Sequence, residues 1–201
     1  MRHENGSPTY ANWNITSMTA HNTGLALPLD WSVIPGREMP DQLYDEVVTF
    51  CTRAYAEDFA VLMPTLRGRV HVLGRDAGRL VTHALWVTRW LQVGLSSPLR
   101  TAAVEAVATD QDCRCRGYAT QVMRRIAAEI EDFELAVLSA FDPVWYARLG
   151  WELWRGPLFI RTDAGLMPTP DEEVMILRLP RTPPLDLDSA LSAEWREGEV
   201  W

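Results

Sequence analysis

The chain has 201 residues, 47% hydrophobic and 23% charged, which predicts a single globular domain. No stretch approaches the roughly 18 uncharged apolar residues of a membrane helix, and the start has no apolar signal segment, so we expect neither membrane insertion nor secretion. Three cysteines exclude a disulfide framework and favour a reducing cytoplasm. The net charge of −8 argues against nucleic acid as a partner and is compatible with a cationic ligand or with simple solubility.

The N-terminal half is predicted to be mostly strands around one helix. Residues 1–24 lack apolar periodicity and form an expected extension to a domain over 25–201. A strand interrupted by Pro28 is predicted over 25–34, and a helix over 41–55. The helix carries apolar residues every three or four positions, namely Leu43, Val47, Phe50 and Ala54.

A β-hairpin follows over 69–93, because an Asp-Ala-Gly turn at 76–78 joins two runs rich in β-formers. Another strand is predicted over 99–110, ahead of a helix over 118–133. The predicted elements after it are a buried strand at 135–140, a short helix at 144–149 opened by Asp142 and Pro143, and strands at 151–161 and 172–180. This order predicts an α/β fold with a mixed sheet and flanking helices.

The junction between the strand ending near Thr109 and the helix beginning near Tyr118 carries the clearest chemical signal. It holds Arg114, Arg116 and Gly117 immediately before the helix. Free amides and the dipole at a helix N-terminus favour a bound anion, although an ordinary solvated turn has the same composition.

The spacing Arg114-x-x-Gly117-x-Ala119 after a strand resembles the pyrophosphate loop of the GNAT (Gcn5-related) acetyltransferases. Further blocks resemble the aminoglycoside 2'-N-acetyltransferases among them: AEDF at 56–59, VEAVA at 104–108, WYARLGW at 145–151 and the ending EWREGEVW. The resemblance spans about 25–201 and implies the GNAT acyl-CoA N-acyltransferase fold.

The resemblance implies acetyl-CoA as cofactor. Its pantetheine would lie along Val107, Ala108 and Thr109, whose amides would also stabilise the oxyanion. The pyrophosphate would rest on the amides of Arg114, Cys115, Arg116, Gly117, Tyr118 and Ala119.

Glu105 is the predicted general base, acting directly or through water. Strand alternation places it on one face with Ala103 and Val107, alone among apolar neighbours, where burial would raise its pKa. A structural ion pair with an arginine is the alternative interpretation. Tyr146 is implied as the acid that protonates the leaving thiolate, and a core aromatic is the alternative.

The acceptor would be a cationic antibiotic, recognised by residues at positions matching the family's carboxylates and their neighbours. These are Asp58, Glu105, Ser139, Glu172, Glu199 and Trp201 with its terminal carboxylate. A further acid that the family pattern expects five positions after Asp58 is Met63 here, which favours a less cationic acceptor such as kasugamycin.

The sequence thus predicts transfer of acetyl to the 2'-amine of an aminoglycoside, hence antibiotic resistance. Cytoplasmic location and a homodimer are further expectations, and no metal site is expected, since the Cys113 and Cys115 spacing fits no zinc motif. Two alternatives stay open: a GNAT enzyme for a polyamine or protein N-terminus, and a non-catalytic acyl-CoA-binding or ligand-binding module.

Overall fold

A computed structural model describes residues 29–198 and 201 of the chain. Its strands and helices are, in order, β1 (Asp30–Pro35), α1 (Asp41–Tyr55), α2 (Phe59–Leu62), β2 (Val70–Asp76), β3 (Arg79–Val93), β4 (Leu99–Thr109), α3 (Tyr118–Glu129), β5 (Leu135–Ser139), α4 (Pro143–Ala147), β6 (Glu152–Leu153), β7 (Leu158–Thr162), β8 (Gly165–Pro168), β9 (Val174–Arg178) and β10 (Leu191–Glu194). The predicted extension 1–24 and the first part of the strand predicted over 25–34 lie outside these residues.

The strands form one mixed sheet, in the order β6-β9-β5-β4-β3-β10-β7-β8, with β2 also on β3 and β1 on β2. β4 runs parallel to β5, and β10 runs parallel to β7, whereas the other pairings are antiparallel. This arrangement confirms the predicted α/β fold class.

A core lies on each face of the sheet, because each long helix is apolar along one side. α1 packs Val47 and Phe50 into the core that contains Leu85 and Ala103. α3 packs residues such as Ile126 into the other core, against alternate residues of β4 and β5. β4 is thereby covered on both faces and forms the centre of the molecule.

Most predicted elements are confirmed, with three corrections. The helix predicted over 118–133 ends at Glu129. The strand predicted over 151–161 is wrong as one element: it breaks into β6 and β7, which lie in separate parts of the sheet. The break falls at Gly156, where a Cβ would stand 1.9 Å from the carbonyl oxygen of Ser189, and at the following Pro157. The expected tail contains strand β10.

Two irregularities in β4 open the sheet near its centre. β4 pairs with β5 only from Thr101 to Ala103, although it continues to Thr109, so the two parallel strands separate beyond that point. β4 also has a bulge: residues 106 and 107 both face Ala84 of β3, and Ala106 has a φ of 52°. Among the described residues, the edge of β4 that pairs with β5 therefore has no strand partner beyond Ala103 and faces a gap.

Candidate active site

The bulge changes which residues of β4 share a face. Ala106 and Ala108 pack with the α1 core, as Ala103 does, whereas Val107 packs with the α3 core. The expectation that Glu105 shares a face with Val107 is therefore wrong, because the extra residue at 106 reverses the alternation.

Side chains from two elements, α1 and β3, hold the bulged segment. The Tyr55 hydroxyl, at the end of α1, donates to the Val107 carbonyl over 2.8 Å. The Thr82 hydroxyl donates to the Ala108 carbonyl over 2.9 Å, and its oxygen lies 3.5 Å from that of Thr109. Val107, Ala108 and Thr109, predicted to line the pantetheine, thus have their backbone fixed from the side of α1 and β3.

A buried histidine pair holds the remaining bulge carbonyl. Arg69 donates Nε–H to His71 Nε2 (3.2 Å), so the proton of neutral His71 must be on Nδ1. His71 Nδ1 lies 2.9 Å from His83 Nε2, and His83 Nδ1 lies 2.9 Å from the Ala106 carbonyl. Both rings therefore carry their proton on Nδ1, and the chain of donors runs from the guanidinium to Ala106. Burial lowers the pKa of His71 to about 3 and of His83 to about 4, which keeps both neutral.

The loop between β4 and α3 is anchored at its start by Asp110. This buried carboxylate accepts the Asp112 amide and lies 2.9 Å from Arg79, fixing a 3-10 turn over Gln111–Cys113. Gly117, with a φ of 78°, caps α3, whose first hydrogen bond runs from the Gln121 amide to the Gly117 carbonyl. The amides of residues 118–120 precede that bond and face outward as an anion site.

The loop residues fit a diphosphate. Arg114, Cys115, Arg116 and Gly117 are exposed, and a Cβ added at Gly117 would meet no atom within 4 Å, so the space before the helix is open. Ala119 is half-buried, and Tyr118 is buried with its hydroxyl donating to Asp76, which raises the pKa of that hydroxyl. The amide of Tyr118 can therefore contribute to binding a diphosphate, but its side chain cannot.

Glu105 is not alone among apolar neighbours, and that expectation is wrong. Arg196, in the C-terminal segment, places Nη1 2.7 Å from its Oε1, with both side chains mostly buried. The alternative that Glu105 pairs with an arginine is what the structure shows. A carboxylate in such a pair keeps its capacity to accept hydrogen bonds.

Tyr146 is a core aromatic, as the alternative interpretation expects, and its role as the acid stays a prediction. It is buried beside Trp145 and Trp151 in the α3 core, and burial, with the nearby Asp142 carboxylate, raises the pKa of its hydroxyl to about 12. The group is thus a proton carrier at neutral pH.

Tyr55, which no sequence motif selects, connects these groups. Burial raises the pKa of Tyr55 well above its usual value, and the proximity of Tyr146, Cys51, Glu105 and Glu57 raises it further. Glu105 and Tyr146, on opposite sides of the sheet, are therefore both within electrostatic range of one hydroxyl at the gap. No local pattern marks Tyr55, because its partner is a bulge some 50 residues later in the chain.

Three of the predicted acceptor residues lie at or near the ends of elements: Asp58 before α2, Ser139 at the end of β5 and Glu172 before β9. Ser139 is the last residue of β5 and pairs with Val174 of β9. Glu172 precedes Val174 by two residues. Asp58 caps α2 by accepting the Ala60 amide, and the next residue, Phe59, contacts Tyr55 with ring centroids 5.0 Å apart. Glu199 lies outside the described residues.

The C-terminal segment closes the α1 side of the opening. Beyond Arg196 the segment passes close to Thr65. A Cβ added at Gly198 would lie 3.0 Å from the Thr65 hydroxyl oxygen. Trp201 is half-buried against the α1 core and donates its indole N–H to Thr169 over 2.8 Å. Met63, where the family pattern has an acid, is fully buried and offers nothing to the opening.

Neither a metal cluster nor a membrane-spanning helix is found in the part of the chain that the structure describes. No group of three or more His, Cys, Asp and Glu side chains there is arranged to hold a metal ion. Across 29–198 and 201, every helix is too short or too polar to cross a bilayer.

Comparison with known proteins decides the family. A family model described as an acetyltransferase (GNAT) domain matches residues 36–154, more than half of the chain. The chain belongs to the GNAT acetyltransferase family. It is therefore an N-acetyltransferase that uses acetyl-CoA as donor, and the non-catalytic alternative is set aside.

Among curated proteins, this GNAT enzyme is similar to an aminoglycoside 2'-N-acetyltransferase of Mycolicibacterium fortuitum. The two are 34% identical over 141 residues, which cover 67% of this chain and 72% of the relative.

Solved structures share the fold. The GNAT N-acetyltransferase YhbS of Escherichia coli, solved in complex with CoA, superposes with a TM-score of 0.60 at 18% identity. The match covers 88% of this chain and 94% of YhbS. Eis1 of Mycobacterium abscessus gives a TM-score of 0.51 at 23% identity, with 64% of this chain matching 32% of Eis1.

Proposed function

We propose that this enzyme acetylates the 2'-amino group of an aminoglycoside antibiotic and thereby confers resistance. The observation that carries the proposal is the 34% identity to a curated aminoglycoside 2'-N-acetyltransferase across two thirds of both chains. The acidic side chains of Asp58 and Glu172, at positions that match the family's acceptor residues, support a cationic acceptor.

The chain's own residues account for binding of the donor. When bound, acetyl-CoA supplies the acetyl group as a thioester with a thiolate leaving group. The amides at the start of α3, with Arg114, Cys115 and Arg116 of the loop, would hold the diphosphate. The open edge of β4 at Val107, Ala108 and Thr109 offers amides to the pantetheine and to the developing oxyanion.

Two proton transfers complete the reaction. Glu105, directly or through water, would accept the proton that the attacking amine loses as its nitrogen bonds to the acyl carbon. Tyr146, which burial keeps protonated at neutral pH, would give its proton to the departing sulfur. No covalent enzyme intermediate is required, because the amine attacks the thioester directly.

The acceptor would be held by Asp58, Ser139, Glu172, Glu199 and the C-terminal Trp201. Kasugamycin is the acceptor we favour, since the buried Met63 removes one carboxylate that a polycation would need. Action in the cytoplasm, where aminoglycosides have their target, and a homodimeric state are part of the proposal.

A thiol-release assay with acetyl-CoA tests this function. Purified enzyme should release CoA faster with kasugamycin and with 2'-amino aminoglycosides than with spermidine or a peptide with a free N-terminus. Faster release with spermidine or the peptide would contradict the proposed substrate class while leaving the acetyltransferase assignment intact.

A further inference from the structure

Glu105 and Arg196 form an ion pair beside a second pair, Arg89 with Glu194, and Arg161 lies 3.9 Å from Glu194 as well. The Glu105 carboxyl contacts Arg196 over 2.7 Å, and the side chains of Glu105 and Arg196 are 16% and 14% exposed. Beside them, Arg89 donates to Glu194 over 2.7 Å and is only 5% exposed. Burial is the main cause of the lowered pKa of Arg89; Arg196 lowers this pKa further, and Glu105 raises it. The two ion pairs therefore lie within electrostatic range of each other.

The pairing removes negative charge from the point where the acceptor amine must arrive. A free carboxylate there would attract every ammonium group of a polycation. An arginine cannot give up its proton in a protein, so the positive charge of Arg196 persists at any working pH. Partial burial of the pair weakens screening by water and salt, which strengthens its effect on a nearby ammonium.

We infer that Arg196 is a specificity-determining residue that limits the number of positive charges the acceptor can bring to the reaction centre. This inference rests on the proposed function. A reacting amine with no second ammonium nearby meets a neutral ion pair and can approach Glu105. An acceptor with another ammonium beside the reacting amine is repelled by the guanidinium, which raises its KM.

The position of Arg196 is set by the fold. It follows strand β10, whose last residue, Glu194, binds Arg89, and it precedes Gly198, which passes close to Thr65. The segment is thus fixed on both sides of Arg196, and the guanidinium stays over Glu105.

The test compares Arg196→Gln with Arg67→Gln. Arg67 lies near the same segment, 4.0 Å from Glu197, but is 86% exposed and does not contact Glu105, so its replacement removes the same charge from the same side. The readout is the ratio of kcat/KM for neomycin, which carries several amines, to that for kasugamycin. Arg196→Gln should raise this ratio about tenfold through the neomycin KM, since like charges at close range cost on the order of 1 kcal/mol or more.

In Arg67→Gln and Arg196→Lys the ratio should stay within about twofold of the wild type, because the charge near Glu105 persists. An equal ratio in Arg196→Gln and Arg67→Gln would overturn the inference, and so would an equal loss of kcat with both acceptors. Arg196→Met, which keeps the apolar length, replaces the glutamine variant if that one does not fold.

A binding measurement separates this inference from the proposed function. If no variant acetylates an aminoglycoside, the proposed function fails, and the same ratio is read from calorimetric Kd values of neomycin and kasugamycin with CoA present. A selective gain of neomycin affinity in Arg196→Gln would sustain the inference, and unchanged affinities would end it.

Discussion

At the scale of single residues, Glu105, the proposed base, is the group on which turnover should depend most. Replacing its carboxylate by an amide in Glu105→Gln removes the proton acceptor but keeps the shape, so kcat should fall by about 10² to 10⁴. The acetyl-CoA Kd should stay nearly constant, because the loop and the amides of β4 are untouched. Steady-state kinetics with calorimetry measures both, with the exposed Glu131→Gln as control. Unchanged kcat would refute the role of base.

Residue-level predictability was uneven. Glu105, Gly117 and Tyr146 could be selected because they stand in short motifs, and Glu105 and Tyr146 both lie within electrostatic range of Tyr55. The Arg196 partner of Glu105 could not be assigned, since a contact between residues 91 positions apart leaves no local signal. The bulge at Ala106 was missed for a similar reason: nothing in the alternation VEAVA marks an alanine with positive φ.

At the scale of elements, the junction of β4 and α3 should decide cofactor affinity. Gly117→Asp would place a carboxylate in the open space before the helix and repel a diphosphate, so CoA affinity should fall at least about 100-fold. Gly94→Asp is a matched control, because Gly94 also has a positive φ and open space, but lies in the β3–β4 turn. CoA titrations of both variants, each checked for folding, give the comparison; equal effects would mean that the loop does not hold the diphosphate.

The histidine pair joining β2, β3 and β4 predicts an acid-sensitive fold. Burial lowers the folded-state pKa of His71 to about 3 and of His83 to about 4, whereas in the unfolded chain both titrate near 6.5. The unfolded state therefore binds more protons below pH 6.5, and stability should fall with decreasing pH towards pH 4, by up to roughly 1.4 kcal/mol per pH unit for each histidine.

Urea unfolding of the wild type and of His71→Gln between pH 7 and pH 4.5 measures this effect. The variant should lose about half of the pH dependence assigned to the pair. Equal slopes in the two proteins would show that the pair does not titrate as described.

The elements themselves were largely predictable, because α1 and α3 have a clear apolar face and β5 is a continuous apolar run. The strand at 151–161 failed because its continuity is decided by a tertiary contact, the approach of Gly156 to the Ser189 backbone. Strands β8 and β10 are only four residues each, and their pairing partners, not their own sequences, make them strands.

At the scale of the whole molecule, the proposed donor and acceptor sites are built from different elements. In the proposal the loop before α3 and the edge of β4 would bind the donor, whereas α2 and the C-terminal segment would border the acceptor. Deleting Glu199 to Trp201 should therefore raise the KM for the antibiotic, with little change in the acetyl-CoA KM. Kinetics at saturating partner substrate measures each constant; lower thermal stability with both constants unchanged would assign the segment a structural role only.

The position of the acetyl group in the product tests the central claim most directly. Two-dimensional NMR of an aminoglycoside treated with the enzyme and acetyl-CoA should show one new amide, on the 2' nitrogen. Acetylation at another amine, or of spermidine alone, would contradict the account.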